Sequence, residues 1–343
     1  MKILVTGSAG FIGYHFAKRL VEEGYEVVGL DNLNEYYSVS LKRARLAEMG
    51  IVDAMMPYGT QINSETKPNY KFVRMDLQDK QALPKLFVQN HFNYVVNLAA
   101  QGGVRYSTEN PFAYIESNLV GFANLLECCR HNNVQHLIYA SSSSVYGGNT
   151  NTPFSEDDRV DTPVSLYAAT KKADELMASC YSKLYDLPAT GLRFFTVYGP
   201  WGRPDMAPML FADAISNGKE IKVFNHGDMW RDFTYVDDVV QAVFTMIGKT
   251  PKPQDDGRRH KIYNIGCSNP VKLLDFIEIM EKAFGKEAKK VMLPMQQGDI
   301  YQTYADTSAF ERDFAYKPTT DIKEGINKFA EWYNKTYNSV TFR

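Results

Sequence analysis

The sequence is poor in the features that mark several large classes of protein. It has 4 cysteines and 3 tryptophans among 343 residues, and the cysteines show no spacing typical of a metal site. A disulfide scaffold is therefore excluded, and we expect reduced thiols in a cytoplasmic protein without a bound metal. Lysine and arginine number 38 against 40 acidic residues. Because no basic block is present to attract a phosphate backbone, we expect no nucleic-acid partner.

Long hydrophobic runs are also missing. No stretch approaches the roughly 20 apolar residues that a membrane-spanning helix needs, so we expect no membrane association. The first twelve residues resemble the apolar core of a signal peptide, but glycines interrupt them and no cleavage site follows. The chain does contain 44% hydrophobic residues, which is ample for the core of one large or two modest domains.

The N-terminal segment has the pattern of a dinucleotide-binding unit. A largely apolar run of strand length, residues 2–6, is followed at once by three glycines and then by a helical pattern. The glycines are spaced by three, at Gly7, Gly10 and Gly13. Such glycines let the turn fold tightly, let the backbone approach a pyrophosphate and let the helix lie close to the sheet, with its N-terminus facing the phosphates.

Acidic residues at the ends of the next two predicted strands bear on the choice of nucleotide. The strand over 26–30 ends in Asp31, whose carboxylate can accept hydrogen bonds from an adenosine ribose and would repel a 2′-phosphate, so NAD is favoured over NADP. Asp76 and Leu77 follow the third strand, where they could flank an adenine; an equally good interpretation makes Asp76 a helix cap. The stretch 51–69 reads as an irregular insertion, and we assign it no chemistry.

Two further predicted strands bring polar residues to the same edge of the sheet. The strand over 94–98 is followed by Ala99 and Ala100, whose small side chains permit close approach of a cofactor. Arg105 lies just beyond, either as a ligand of an anionic substrate or as a surface charge. The strand over 136–140 ends in serines 141–144, which place hydroxyls at the crevice where parallel sheets bind ligands, unless they form only a serine-rich turn.

Tyr167 and Lys171 lie four residues apart at the start of a long predicted helix. This spacing places both side chains on one helix face, with their Cβ atoms roughly 6 Å apart. A phenol ordinarily ionises near pH 10, and one ammonium about 4 Å away, at an effective dielectric of about 20, supplies the roughly 4 kcal/mol that a phenolate base requires near neutral pH. The alternative interpretation is a chance pair on a solvated helix face.

The chain resembles the extended short-chain dehydrogenase/reductases, in their nucleotide-sugar epimerase and dehydratase branch. The resemblance rests on the three glycines, the serine cluster around Ser142 and the Tyr167-x-x-x-Lys171 pair, and it spans nearly the whole chain. Within the branch, the segments 31–37, 98–105, 139–147 and 193–207 are most similar to the 4-epimerases of UDP-glucuronate.

The resemblance implies an α/β fold with a Rossmann-type doubly wound parallel sheet and a smaller C-terminal α/β substrate-binding domain. We expect an NAD-binding domain over residues 1–200, with 232–265 returning to it, and a nucleotide-sugar-binding domain mainly over 201–343. The family usually dimerises through two long helices, here 112–132 and 164–185, so a homodimer is expected.

The resemblance also implies a reaction at C4 of a UDP-sugar that yields UDP-galacturonate from UDP-glucuronate. Ser142 joins Tyr167 and Lys171 as a catalytic residue, with NAD taking a hydride from C4 and returning it to the opposite face. Dehydratases that resemble this chain carry an Asp-Glu pair where Ser143 and Ser144 stand, so elimination is disfavoured. A UDP-hexose 4-epimerase, a UDP-glucuronate decarboxylase and, from a different class, a non-catalytic dinucleotide-sensing protein remain as alternatives.

Pattern and resemblance together assign two sets of binding residues. The expected cofactor ligands are Gly7, Gly10, Phe11, Ile12, Gly13, Asp31, Asn32, Asp76, Leu77, Leu98, Ala99, Ala100, Tyr167 and Lys171. The expected substrate ligands are Arg105, Ser142, Ser143, Ser144, Thr196, Arg203, Arg231 and Asp299.

Three of the substrate ligands have roles that the resemblance supplies. Thr196 stands where hexose epimerases usually have Asn, and its hydroxyl would bind a C6 carboxylate, with Arg203 nearby as charge. Arg231 would meet the UDP phosphates, unless Arg231 and Asp232 form only a surface ion pair. Asp299 would reach the uridine ribose, although Gln296 replaces the Arg that hexose epimerases have three residues before the Asp.

Overall fold

Strands and helices alternate along most of the chain in this computed structural model, which describes residues 1–53, 55–295 and 300–338. The strands are β1 (Lys2–Thr6), β2 (Glu26–Asp31), β3 (Gln61–Asn63), β4 (Tyr70–Arg74), β5 (Tyr94–Asn97), β6 (His136–Ser142), β7 (Ala189–Phe194), β8 (Thr196–Tyr198), β9 (Glu220–Val223), β10 (Trp230–Tyr235), β11 (His260–Ile265), β12 (Pro270–Lys272) and β13 (Lys289–Met292).

The helices cover the segments between these strands. They are α1 (Phe11–Glu22), α2 (Val39–Glu48), α3 (Ala82–Asn90), α4 (Tyr106–Glu109), α5 (Pro111–Tyr114), α6 (Gly121–His131), α7 (Leu166–Tyr185), α8 (Ala207–Asn217), α9 (Val236–Thr245), α10 (Leu273–Phe284), α11 (Ser308–Phe314) and α12 (Ile322–Trp332). Single π-helical turns occupy Ile115–Val120 and Tyr333–Tyr337, and 3₁₀ turns occupy Ser143–Tyr146 and Phe224–Gly227. No helix in the described ranges is both long enough and apolar enough to cross a membrane.

The chain divides into two units. Unit 1 comprises residues 1–147, 159–193 and 243–263, and unit 2 comprises 148–158, 194–242 and the described residues from 264 onward.

A sheet of eight strands, in the order β11-β7-β6-β5-β1-β2-β4-β3, organises unit 1. Strands β4, β2, β1, β5 and β6 pair in parallel, and β3 is antiparallel to β4. The chain runs from β1 outward through β2 and β4, then returns to the other side of β1 at β5. This reversal makes the carboxyl ends of β1 and β5 the topological switch point, where open α/β sheets bind ligands. The topology confirms the predicted Rossmann-type doubly wound sheet.

The core of unit 1 shows why a continuous apolar run forms β1. Ile3, Leu4 and Val5 are fully buried, as expected for a parallel strand that is covered by helices on both faces. Leu4 belongs to a cluster with residues from α3, β5, α6 and β6, including Phe87, Val95, Leu125 and Leu137. Burial on both faces holds the strands in place and so fixes the positions of the loops that follow β1 and β5.

Two local features of unit 1 differ from the expectation. The helix expected over 112–132 is divided by the π-helical turn Ile115–Val120, a feature that is often found at functional sites. The insertion 51–69, expected to be irregular, contributes β3, which pairs with β4 through Gln61↔Val73 and Ile62↔Phe72.

Unit 2 contains two smaller sheets and several helices. Strands β12, β10 and β8 form a three-stranded sheet, and β13 pairs with β9 in parallel. Stacked rings of Phe233 on β10 and Phe276 on α10, with centroids 4.2 Å apart, join the first of these sheets to a helix.

Candidate active site

The glycine loop after β1 is packed too closely for side chains. A Cβ on Gly7, whose φ is +69°, would lie 2.8 Å from the backbone nitrogen of Ala99. A Cβ on Gly13 would lie 2.0 Å from the carbonyl oxygen of Gly7, and one on Gly10 would lie 2.9 Å from the same oxygen. The loop therefore holds α1 close to the sheet, and its open backbone cradle fits the pyrophosphate of a dinucleotide.

The N-terminus of α1 is available to an anion. Gly10 caps this helix without a side-chain hydrogen bond, and its first turn contains no acidic residue. The first backbone N–H groups and the positive end of the helix dipole therefore face the loop without an internal counter-charge. Phe11 is buried and Ile12 is half-buried in this turn.

Side chains at the ends of β1 and β5 join the two strands at the switch point. Thr6 donates from Oγ1 to Asn97 Oδ1 at 2.6 Å and accepts from the backbone N–H of Ala99 at 3.2 Å. Leu98, Ala99 and Ala100 follow as half-buried residues. This fixes the small-residue segment directly beside the glycine loop.

Asp31, at the end of β2, is buried and faces the glycine loop. Its carboxylate accepts hydrogen bonds from the backbone N–H groups of Ala9 at 3.2 Å and Leu33 at 2.8 Å. Each carboxylate oxygen can accept more than one hydrogen bond, so the group can also receive the hydroxyls of an adenosine ribose. Its negative charge disfavours a phosphate at that position.

Asn32 and Asp76, two residues assigned to the cofactor, lie together. Asn32 donates from Nδ2 to Asp76 Oδ1 at 2.6 Å. The interpretation of Asp76 as a helix cap is wrong, because Asp79 accepts from the N–H groups of Gln81 and Ala82 at the start of α3. The side chain of Leu77 packs into the hydrophobic core of unit 1.

The insertion supplies a contact that the sequence did not indicate. The hydroxyl of Tyr58 donates to Asp79 Oδ2 at 2.9 Å and accepts from the N–H of Asp76 at 3.3 Å. The insertion 51–69 therefore stabilises the loop that carries Asp76.

Ser142 is the last residue of β6 and caps the 3₁₀ turn Ser143–Tyr146. Its Oγ accepts from the N–H of Ser144 at 3.2 Å and from Ser144 Oγ at 3.0 Å. Because a hydroxyl is one donor and two acceptors, these contacts leave the Ser142 proton to be donated elsewhere.

Tyr167 and Lys171 lie in the first two turns of α7. Ser165 caps this helix by accepting from the N–H of Ala168 at 3.1 Å. Tyr167 is half-buried, whereas Lys171 is 1% exposed. The interpretation of this pair as decoration on a solvated face is wrong, because a buried ammonium requires partners. Its Nζ donates to the carbonyl oxygen of Ala140, two residues before Ser142, at 2.8 Å.

A buried ion pair holds α7 against β6 and β7. Glu175 accepts from Arg193 Nε at 2.8 Å and from Arg193 Nη2 at 2.9 Å, and it also accepts from Ser141 Oγ at 2.7 Å. Arg193 Nη1 donates to the hydroxyl of Tyr146 at 3.0 Å. Burial alone raises the pKa of Glu175, but the hydrogen bonds and charge of Arg193 outweigh it and hold that pKa below its ordinary value. The pair therefore stays ionised at neutral pH.

Tyr114 and Asn118 are residues of the site that the sequence analysis missed. The Tyr114 hydroxyl donates to the carbonyl oxygens of Gly102 and Gly103, and its ring lies edge-on to the ring of Tyr167 with centroids 6.0 Å apart. Asn118, in the π-helical turn, pairs with both backbone groups of Gln101 and donates to Thr170 Oγ1 at 3.1 Å. These contacts join the loop after β5 to α7, and no local sequence signal marks them.

The substrate residues assigned outside the serine cluster are spread over both units. In unit 1, Arg105 is exposed and precedes α4. In unit 2, half-buried Thr196 begins β8, opposite Phe233 of β10. Arg203 donates to both carboxylate oxygens of Asp205, at 3.1 and 2.6 Å. Asp299 lies outside the described residues.

Arg231 and Asp232, on β10, do not form the surface ion pair that was the alternative interpretation. Asp232 is fully buried, and its carboxylate accepts from the N–H groups of Cys267, Ser268 and Ala305. Arg231 donates from Nη1 to the carbonyl oxygens of Trp230 and Tyr301. Asp232 is therefore a structural residue of unit 2.

Comparisons with known proteins agree on one family. Residues 3–266 match the NAD dependent epimerase/dehydratase family. A probable UDP-glucuronate 4-epimerase of Rhizobium meliloti is 44% identical over 98% of this chain and 98% of its own length. The protein CapI of Staphylococcus aureus is 52% identical over 98% of this chain and 99% of its own length.

A solved structure is similar over the same extent. The UDP-glucuronic acid 4-epimerase of Bacillus cereus, crystallised with UDP-glucuronic acid and NAD, superposes with a TM-score of 0.85 at 32% identity. The alignment covers 98% of this chain and 100% of that one. With its glycine cradle, its switch-point topology and its Tyr-Lys pair at the start of α7, the chain belongs to the NAD-dependent epimerase/dehydratase family.

Proposed function

We propose that the protein is a UDP-glucuronate 4-epimerase that works with a tightly bound NAD. The observation that carries this proposal is the anchoring of Lys171, whose buried ammonium lies one turn after Tyr167 and donates to Ala140 O beside Ser142. The similarity to enzymes of that activity in Rhizobium meliloti and Bacillus cereus supports the choice of substrate.

Unit 1 is the NAD-binding part in this proposal, and unit 2 is the nucleotide-sugar-binding part. Gly7, Gly10 and Gly13 admit the pyrophosphate, and Asp31 accepts from the adenosine ribose. The adenine ligands are Asn32 and Asp76. When bound, this cofactor would supply the hydride acceptor for C4 of the sugar and the donor for its return to the opposite face.

Tyr167 acts as the base and later as the acid. As a phenolate, its Oη takes the proton of the sugar 4-hydroxyl; in the second half-reaction it gives a proton back to the 4-oxygen. The ammonium of Lys171 stabilises the phenolate through space. Ser142 donates its remaining proton to the same sugar oxygen, since its two acceptor positions are occupied by Ser144. These roles return every group to its starting state, as an isomerase requires.

Four residues are proposed to bind the C6 carboxylate and to hold it away from the geometry of decarboxylation. They are Ser143, Ser144, Thr196 and Arg203. Because Arg203 is already paired with Asp205 and Ser144 donates its hydroxyl proton to Ser142, the hydroxyls of Ser143 and Thr196 carry most of this recognition. Arg105 and Arg231 are proposed for the anionic parts of the substrate, and Asp299 for the uridine ribose.

A homodimer in the cytoplasm completes the proposal. Phe112 on α5 is 74% exposed, and Leu176 and Leu184 on α7 are 59% and 63% exposed. Leu176, Cys180 and Leu184 follow each other at intervals of four, so they form one exposed stripe along α7. A second copy of the chain would cover this stripe, because the stripe lies on one of the two helices that are expected to form the dimer interface. The free thiols suit a reducing compartment.

The test is to incubate the purified protein with UDP-glucuronate, without added NAD, and to separate the products by chromatography. UDP-galacturonate is expected. A UDP-pentose would indicate decarboxylation, and conversion of UDP-glucose without turnover of UDP-glucuronate would indicate a hexose epimerase. The control is Tyr167→Phe, which retains the ring but loses the base. We expect turnover to fall by about 10²–10⁴-fold, and full activity in this variant would refute the assigned base.

A further inference from the structure

Asp174 is a buried acid that the proposed mechanism does not use. It lies on α7 three residues after Lys171, and its Oδ2 is 3.3 Å from Lys171 Nζ. Both side chains are 2% exposed. In the described part of the chain, Oδ1 of Asp174 has no hydrogen-bond partner. An acid that is both buried and half-satisfied is destabilising in its charged form unless a nearby cation compensates it.

The ionisable groups around Asp174 lie on two elements. Lys171 and Glu175 act on it from α7, and Tyr139 lies close to it on β6. Burial raises the pKa of Asp174 to about 7, although the charge of Lys171 opposes that rise. The other buried cation of this region, Arg193, is occupied by its two hydrogen bonds with Glu175. Lys171 is therefore the cation to which Asp174 responds.

We propose that Asp174 is a positioning residue that holds the Lys171 ammonium and sets how much of its positive charge acts on Tyr167. This proposal rests on the proposed function of the Tyr-Lys pair. One ammonium then serves two acids of the same helix, and the ionisation of either acid opposes the ionisation of the other. When Asp174 is neutral, the full charge of Lys171 favours the phenolate.

The size of the effect follows from helix geometry. Asp174 and Tyr167 are seven residues apart, or roughly 10 Å along the axis. A unit charge at that distance, at an effective dielectric of about 20, moves an ionisation by about one pH unit. Wherever Asp174 is ionised, it should therefore lower the activity of the wild-type enzyme on the acidic limb of its pH profile.

The experiment compares the wild-type protein, with its bound NAD, with Asp174→Asn. The amide is nearly isosteric and can still accept from Lys171, but it carries no charge. We expect the acidic limb of kcat/KM to move to lower pH by up to about one unit, so that activity on that limb rises by up to about tenfold. KM should change little. The near-ultraviolet absorbance of tyrosinate, taken as the difference from Tyr167→Phe, should shift to lower pH by the same amount.

Two further variants separate charge from position. Asp174→Ala removes both the charge and the hydrogen-bond acceptor, so we expect the same shift of the limb together with a lower kcat. Glu127→Gln removes one charge from the half-exposed face of α6, where Glu127 pairs with Arg130, and it should leave the profile unchanged. Thermal unfolding and NAD content confirm that each variant is folded and loaded.

An unmoved limb and an unmoved tyrosinate signal in Asp174→Asn would overturn the inference, and so would a shift to higher pH. The proposed function fails by a different result, namely an active Tyr167→Phe. A profile that moves equally in Glu127→Gln would show a general charge effect and would also overturn the assignment to Asp174.

Discussion

The buried Glu175–Arg193 pair gives the sharpest stability prediction. The change is Glu175→Gln, which keeps the shape of the side chain and removes its charge. The Gln carbonyl can still accept from Arg193 Nε. Its amide NH₂, however, would face Arg193 Nη2, which in the wild type donates to Glu175 Oε2 at 2.9 Å. The guanidinium, 1% exposed, is left without its counter-charge. Breaking a buried pair in this way costs about 3–5 kcal/mol of unfolding free energy.

The pH dependence of this loss has a definite sign. Because the pKa of Glu175 is lowered in the folded protein, its ionised form stabilises the fold above the unfolded-state pKa of about 4.3. That stabilisation is lost as the pH falls through the lower, folded-state pKa. The difference between the wild type and Glu175→Gln should therefore be largest near neutral pH and shrink below about pH 4.

Urea unfolding at neutral pH and at several acidic values measures the difference, with the slope m checked for constancy. The control is Glu23→Gln, directly after α1, whose partner Arg19 lies at 2.9 Å but whose own side chain is 42% exposed. This exposed pair should contribute less than about 1 kcal/mol. Equal losses of unfolding free energy in the two variants, or a loss from Glu175→Gln that does not change with pH, would refute this reasoning. The buried pair would then not be a main interaction that holds α7 in place.

Two other predictions concern the cofactor and the dimer. Gly13→Ala places a Cβ 2.0 Å from a carbonyl oxygen, so the purified variant should contain no bound NAD, while Gly148→Ala, with no atom near its Cβ, should retain it; NAD in both would contradict the close-packed cradle. Leu176→Glu should convert a dimer to a monomer in size-exclusion chromatography, whereas Val88→Glu, on α3 and equally exposed, should not; an unchanged elution of Leu176→Glu would remove α7 from the interface.

The parts of the site that sequence patterns predicted are those encoded by short stretches. The glycine spacing after an apolar run predicted the loop at Gly7, because Gly10 and Gly13 are crowded by the backbone of Gly7 within seven residues of chain, although Gly7 itself is crowded by the distant Ala99. The carboxylate of Asp31 followed from its position at the end of the next strand. The spacing of Tyr167 and Lys171 predicted a shared helix face, and the fold class followed from the family resemblance that these short motifs carry.

The parts that could not be predicted depend on contacts between distant segments. Asn118 lies in a stretch with an ordinary helical pattern, yet its amide reaches Thr170, 52 residues away. Asp232 sits beside an arginine in sequence, but it binds backbone groups 35, 36 and 73 residues away. In both cases the partner is a backbone group or a small hydroxyl, which leaves no mark in a sequence.

Strand β6 explains why the placement of α7 depends on more than its Tyr-Lys motif. Three successive residues at the end of this strand have different roles: Ala140 accepts from Lys171, Ser141 donates to Glu175, and Ser142 ends the strand and caps the 3₁₀ turn. Lys171 and Glu175 are four residues apart, so they lie on the same face of α7. A shift of α7 by one residue along β6 would break both contacts together. The position of Tyr167 relative to Ser142 is therefore fixed by the register between a helix and a strand, and the motif supplies only one half of that register.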